Sequence, residues 1–149
     1  MPLQTSQEIV LAENTSEALR IVVRAGKVYK YLRPHNTFRG VSPELRLQRL
    51  RLQARESTRW SELNTVRFDE GNNCFISDYL QGERPTRQQV RELIGVFQRT
   101  GRGYLVDIGK HNVILVDGRP IVIDFEIDMD HPDWKKRFGE ERVVGDLDS

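Results

Sequence analysis

Asp107-Ile108-Gly109-Lys110-His111-Asn112, followed by Val113-Ile114-Leu115-Val116, Asp117-Gly118 and Arg119-Pro120-Ile121-Val122-Ile123-Asp124-Phe125, is the stretch that decides the reading of this chain. Two aliphatic, β-branched runs flank Asp117-Gly118, a pair suited to a two-residue type I′ turn, which requires positive φ at both central residues. The spacing predicts a hairpin. A hairpin returns to its start, so Asn112 at one end and Asp124 at the other are expected side by side, with Asp107 five residues before Asn112 in the loop that opens it. Asp124 follows Ile-Val-Ile in a strand that reads as buried. A carboxylate there needs a partner, and a divalent cation is the natural one. Mg²⁺ (or Mn²⁺) takes hard oxygen ligands and keeps several waters, so one or two carboxylates plus an amide oxygen are enough.

Upstream, the pattern is mostly β. Residues 8–11, 18–23 and 27–32 are short β-branched runs, with Ala25-Gly26 as a turn between the last two, and they predict a three-stranded meander. In the third run, period-two alternation places Val28, Lys30 and Leu32 on one face and Tyr29 and Tyr31 on the other. A lysine between two apolar neighbours is an uncomfortable solvent-face pattern. Ser42-Pro43-Glu44 opens a helix, Ser as N-cap and Pro at the first helical position, running to about Trp60. Residues 66–68 and 74–80 read as two further strands around a turn. Thr86-Arg87-Gln88-Gln89 is a capping box for a second helix, with Val90, Leu93, Ile94 and Phe97 at helical spacing until Gly101.

Composition sets the frame. A chain of 149 residues with 38% hydrophobic and 30% charged residues is one folding unit with a polar surface. The formal net charge of +1 gives no global attraction to nucleic acid or to an anionic membrane. Arginines 39, 46, 49, 51, 55 and 59 crowd one segment and Asp124, Glu126, Asp128, Asp130 and Asp133 another, which suggests a basic face and an acidic site; solvated surface is the alternative. A single cysteine, Cys74, excludes an internal disulfide framework and a Cys-based zinc cluster. No leader-like segment or membrane-length apolar run is evident, so a cytoplasmic location is expected; direct delivery into a host cell would leave no readable trace.

Phosphoryl transfer from ATP needs a cation for the phosphates, oxygen ligands for magnesium and a carboxylate that orients the attacking hydroxyl. The sequence resembles the protein-kinase superfamily at the residues that would supply them. Asp107 to Asn112 matches the catalytic loop, and Ile123-Asp124-Phe125 the metal-binding Asp-Phe motif. Lys27-Val28-Tyr29-Lys30 falls at the family's third-strand lysine. The resemblance implies that Lys30 pairs the phosphates, that Asp107 positions the acceptor hydroxyl, and that Asn112 and Asp124 hold the metal. It makes Val28 and Leu115 the residues that sandwich adenine and Phe75 to Gly82, with Asp78 and Leu80, the segment that meets its edge. Ser16, between the first two strands, would approach the phosphates. Lys110 either neutralises the transferring phosphate or is a surface lysine. Leu32-Arg33-Pro34 and Ser42-Pro43-Glu44-Leu45, leading to Ala54-Arg55-Glu56, are similar to the KEOPS-complex kinase and the RIO kinases, which makes Glu56 the helix glutamate for Lys30, with Glu44 as competitor.

The implied fold is α+β and kinase-like: a five-stranded antiparallel lobe with one main helix over about 1–80, and a reduced second lobe over about 83–149. The implied activity is an ATP- and Mg²⁺-dependent phosphotransferase, a serine/threonine kinase or a partner-coupled ATPase. The alternatives are a catalytically silent module that binds a protein, and a small-molecule kinase. A protein substrate or regulatory partner is expected, with nucleic acid only through the arginine-rich helix. Three features depart from the family: Ala12 to Glu17 stands where a glycine-rich loop is usual, Leu105 where His is common, and Glu126 where Gly is common.

Overall fold

The structure is a computed structural model that describes residues 7–15, 17–34 and 42–137. The chain divides into two compact units, Met1–Gln81 and Gly82–Ser149. Ser16 lies outside the described residues.

The first unit is α+β. Its strands β1 (Glu8–Glu13), β2 (Ala18–Arg24), β3 (Lys27–Leu32), β4 (Val66–Asp69) and β5 (Cys74–Asp78) form one antiparallel sheet in the order β1-β2-β3-β5-β4. The β2–β3 turn has φ of 52° at Ala25 and 77° at Gly26, the positive pair that matches strand twist in a two-residue hairpin. Register sets Lys30 opposite Ile21 on one neighbour and Phe75 on the other. Lys30 therefore shares a face with aliphatic and aromatic side chains. On the other face Tyr29 and Tyr31 stack with centroids 6.4 Å apart, and the Arg24 guanidinium lies 4.2 Å from the Tyr29 centroid.

Helix α1 (Pro43–Ser57) starts where its signals place it: Ser42 Oγ accepts from Leu45 N at 3.1 Å, and Pro43 needs no donor. It packs on β4 and ends short of the expected Trp60. Ser57 Oγ donates to the Ala54 carbonyl at 2.7 Å and accepts from Val66 N at 2.9 Å, tying the last turn to β4. Thr58 Oγ1 takes the Arg55 carbonyl at 2.7 Å. Two arginines of α1 are engaged within the unit. Arg51 is bidentate on Glu70, both contacts 2.8 Å, and Arg46 donates to the Arg33 carbonyl at 2.9 Å and to Asn73 Oδ1 at 3.3 Å. Val22, Leu32, Leu50, Leu52, Leu63 and Cys74 are buried. Burial pushes the Cys74 thiol up to about 11, so it is a packing residue and not a nucleophile.

The second unit begins with a backbone stitch. Glu83 N donates to Leu115 O at 3.0 Å and Leu115 N to Glu83 O at 2.8 Å. A Cβ at Gly82 would sit 2.0 Å from Leu115 O, so glycine is required for this approach. Helix α2 (Arg87–Arg99) carries the complete Thr86/Gln89 capping box and buries Val90, Leu93 and Phe97. Two short antiparallel ladders follow: β6 (Leu105–Val106) with β9 (Glu126–Ile127), and β7 (Val113–Val116) with β8 (Arg119–Val122). The β7–β8 turn has φ of 52° at Asp117 and 79° at Gly118, again a type I′ pair. Residues 132–137 form a short helix whose Trp134 meets Tyr104 edge-on at 5.1 Å. No helix among the described residues is long and apolar enough to cross a membrane.

Candidate functional site

In the second unit the site sits where two ladders stop. The β6/β9 ladder ends at the pair Val106/Glu126, and the β7/β8 ladder at Val113/Val122, extended by Ile123 N donating to Asn112 O at 2.8 Å. Segments 107–112 and 123–125 are thus the two sides of a gap held at both ends by backbone hydrogen bonds. Asp107 and Asn112 lie on one side and Asp124 on the other. The hairpin and the loop before it bring together the three residues expected to carry the metal and the acceptor.

Within the gap the geometry is specific. Asn112 is buried, and its Nδ2 donates to the Asp107 carbonyl at 2.7 Å while its own N–H takes the Gly109 carbonyl at 2.9 Å. Because the NH₂ group is committed to the loop, the amide oxygen is the atom of Asn112 left to ligate a cation. Asp107 has φ of 61°, a left-handed conformation that Asp tolerates better than most residues but that still costs about 1–2 kcal/mol. The Asn112 bond to its carbonyl holds that conformation, and the Asp107 side chain is exposed. Lys110 stands exposed in the 3₁₀ turn Lys110–Asn112. Asp124 is half-buried and Phe125 behind it is buried.

No family model matches the chain, and no curated protein matches it.

The first unit holds the remaining candidates. Lys30 is largely buried, its side chain 16% exposed, and its Nζ lies 3.6 Å from Glu17 Oε2. The reading of the sequence missed Glu17 as a partner. The signal was there: Glu17 precedes Ala18, which pairs with Leu32, so it enters the sheet beside the strand end that carries Lys30. Glu56 is 2% exposed, accepts from Trp60 Nε1 at 2.9 Å and has Arg59 Nε at 3.8 Å, whereas Glu44 is exposed in the first turn of α1. Of the two helix glutamates, Glu56 is the one placed inside the unit. Val28 is half-buried on the Lys30 face, opposite Val23 and Ser77. The Asp78 side chain is exposed and ion-paired with Lys27, and its carbonyl accepts from Asn64 Nδ2 at 3.1 Å. Leu80 is half-buried in the segment after β5, and Leu115, in the second unit, is half-buried on β7.

Among the described residues no group of three or more His, Cys, Asp or Glu side chains is placed to hold a metal ion. One carboxylate and one amide oxygen, Asp124 and Asn112, suit a cation whose remaining ligands are waters and phosphate oxygens.

Proposed function

We propose that the chain is an ATP- and Mg²⁺-dependent phosphotransferase with a kinase-like fold that acts on a hydroxyl group. The observation that carries this reading is the Asn112 Nδ2 bond to the Asp107 carbonyl inside the gap closed by the Asn112–Ile123 backbone bond. It ties the backbone of Asp107, which would position the acceptor, to the Asn112 side chain, whose amide oxygen would ligate the metal, with Asp124 on the facing segment. Positioning and electrostatics are nearly all that phosphoryl transfer asks of a protein. In this reading Asn112 and Asp124 are the residues that would hold a Mg²⁺, which would supply positive charge to offset that of the phosphates. Lys30 offers the phosphates a cation, Glu56 stands as its helix carboxylate, and Asp107 receives the proton of the attacking hydroxyl.

Calorimetry of ATP binding with and without Mg²⁺, on wild type and Asp124→Ala, followed by radiolabel transfer, tests it. Mg²⁺-dependent binding lost in Asp124→Ala, with label transferred by wild type, is expected. Binding that ignores both the metal and Asp124 would refute the assignment.

One contact favours a second reading, a silent module that uses the same scaffold to bind a protein: Glu17 occupies the ammonium of Lys30, where a phosphate would have to displace it. If Lys30 serves phosphates, Glu17→Gln removes a competitor and tightens MgATP binding several-fold. If the module is silent, the variant leaves MgATP titrations flat.

A further inference from the structure

The loop 107–112 also borders, together with α2, a cavity of about 350 Å³. This is at the small end of the range for small-molecule pockets, roughly 300–1,000 Å³. Its walls are apolar: Ile94 and Phe97 from α2, Leu105 from β6 and Ile108 from the loop. Its polar groups are few, Asp107 and His111 on the loop and Gln98 at the exposed end of α2. Gly109 contributes to the shape, since a Cβ there would meet the His111 ring at 3.1 Å.

We infer that this cavity is the acceptor pocket of the phosphotransferase proposed above, and that its acceptor is a small alcohol with a compact apolar body. The inference rests on that reading. The argument is one of matching groups. An apolar chamber takes a hydrocarbon body by removing it from water, and the carboxylate that borders it, Asp107, accepts a hydrogen bond from the hydroxyl that such a body carries. A polyhydroxylated or polycationic acceptor is a poor fit, because Asp107 is the one carboxylate on the lining and each buried polar group of the acceptor would need its own partner. A protein partner would need an interface of more than about 1,000 Å², far more than a chamber of this size presents. In the transfer, the alcohol oxygen bonds to the γ-phosphorus of ATP and the bond from that phosphorus to the β–γ bridging oxygen breaks. The alcohol proton passes to Asp107, and the products are an alkyl phosphate and ADP.

The test uses the full chain, 2-phenylethanol as probe, and Gln98→Trp, a substitution at an exposed α2 position that blocks the cavity without touching the core. ¹³C-methyl spectra should show Ile94, Leu105 and Ile108 shifting with the probe at concentrations on the order of millimolar, as expected for a fragment of this size. In Gln98→Trp the apparent affinity should fall at least roughly tenfold. With MgATP present, ³¹P spectra should show the alkyl phosphate from wild type and at most about a tenth of that rate from Gln98→Trp, whose MgATP affinity is unchanged. Methyl shifts that are absent, or equal in both proteins, overturn the pocket. If MgATP binds and label reaches protein or water equally in both proteins, the acceptor assignment fails and the phosphotransferase reading stands. If the probe binds and MgATP does not, the phosphotransferase reading fails, and the acceptor role falls with it.

Discussion

The two units use β-structure in opposite ways. In the first, β3 is hydrogen-bonded on both flanks, to β2 and to β5, so its backbone is fully committed and only side chains such as Lys30 remain for chemistry. In the second, two ladders of four and two residue pairs are separated by the segments 107–112 and 123–125. The interruption lets Asp107 adopt a left-handed conformation and lets Asn112 turn its side chain onto the backbone. An unbroken sheet holds one residue rigidly against its neighbours; a broken one, clamped at both ends, gathers three residues of different chemistry. Sites are built more often from the second arrangement, because loops held by a rigid frame can present side chains that a strand must alternate between faces.

The largest effect is expected from breaking the backbone stitch that opens the second unit. Gly82→Ala puts a Cβ where the Leu115 carbonyl already is, 2.0 Å away, and no side-chain rotation relieves a backbone clash. The stitch to β7 must open, at a cost of about 3 kcal/mol. Urea titration followed by amide-proton NMR should show the midpoint of the second unit's signals displaced by that amount. An unchanged midpoint would mean that the close approach is not maintained. Next comes the interior of the gap: Asn112→Ala removes the bond to the Asp107 carbonyl and leaves that part-buried carbonyl without this partner. Roughly 2 kcal/mol of stability should be lost, and MgATP affinity should fall at least about tenfold if the amide oxygen is a metal ligand. Asn112→Asp separates the two roles, since it keeps an oxygen but turns a carboxylate toward a carbonyl. That variant should lose stability and keep MgATP affinity; affinity lost along with stability would remove the amide oxygen from the metal site.

The contrast between the units also explains what could be read from the sequence. The β7–β8 hairpin was legible because Asp117-Gly118 is a local signal flanked by aliphatic runs, and from it the adjacency of Asn112 and Asp124 followed by geometry. Helix starts were legible for the same reason, since Ser42 and Thr86 act within three residues of themselves. The five-stranded sheet was legible in its strands. What escaped was non-local. The β6/β9 ladder is two residues long and has no period to detect. The early end of α1 depends on Ser57 meeting Val66, nine residues on. The arginines that looked like a basic face are in part spent on Glu70 and on the Arg33 carbonyl, pairings that composition alone does not reveal. The cavity beside Asp107 arises from α2 and the loop together, and neither segment announces it.

A smaller effect sharpens the comparison within the first unit. The β2–β3 turn places alanine at φ 52°, whereas the β7–β8 turn places aspartate, which tolerates that region better. Ala25→Gly should therefore stabilise the first unit by about 0.5 kcal/mol, the relief of left-handed strain exceeding the added freedom of the unfolded chain. A thermal melt that moves downward would show that the entropy term wins.

The smallest expected effect concerns the surface ion pair between α1 and the turn after β4. The Arg51 guanidinium, bonded to both carboxylate oxygens, holds the Glu70 carboxyl below its ordinary value. A carboxyl whose folded pKa is depressed contributes stability above its unfolded value, about 4.3, and loses it as pH falls through the folded value. Wild type should thus exceed Arg51→Gln slightly in denaturant midpoint at neutral pH and converge with it in acid. The carboxyl of neighbouring Asp69, lowered chiefly by the Asn72 side chain, titrates in the same window but is present in both proteins, so the difference between them isolates the pair. Both side chains are about half exposed, so added salt should shrink the neutral-pH difference as well. A gap that persists at low pH, or that ignores salt, would assign the effect of Arg51 to the packing of its aliphatic stem along α1 and not to its charge.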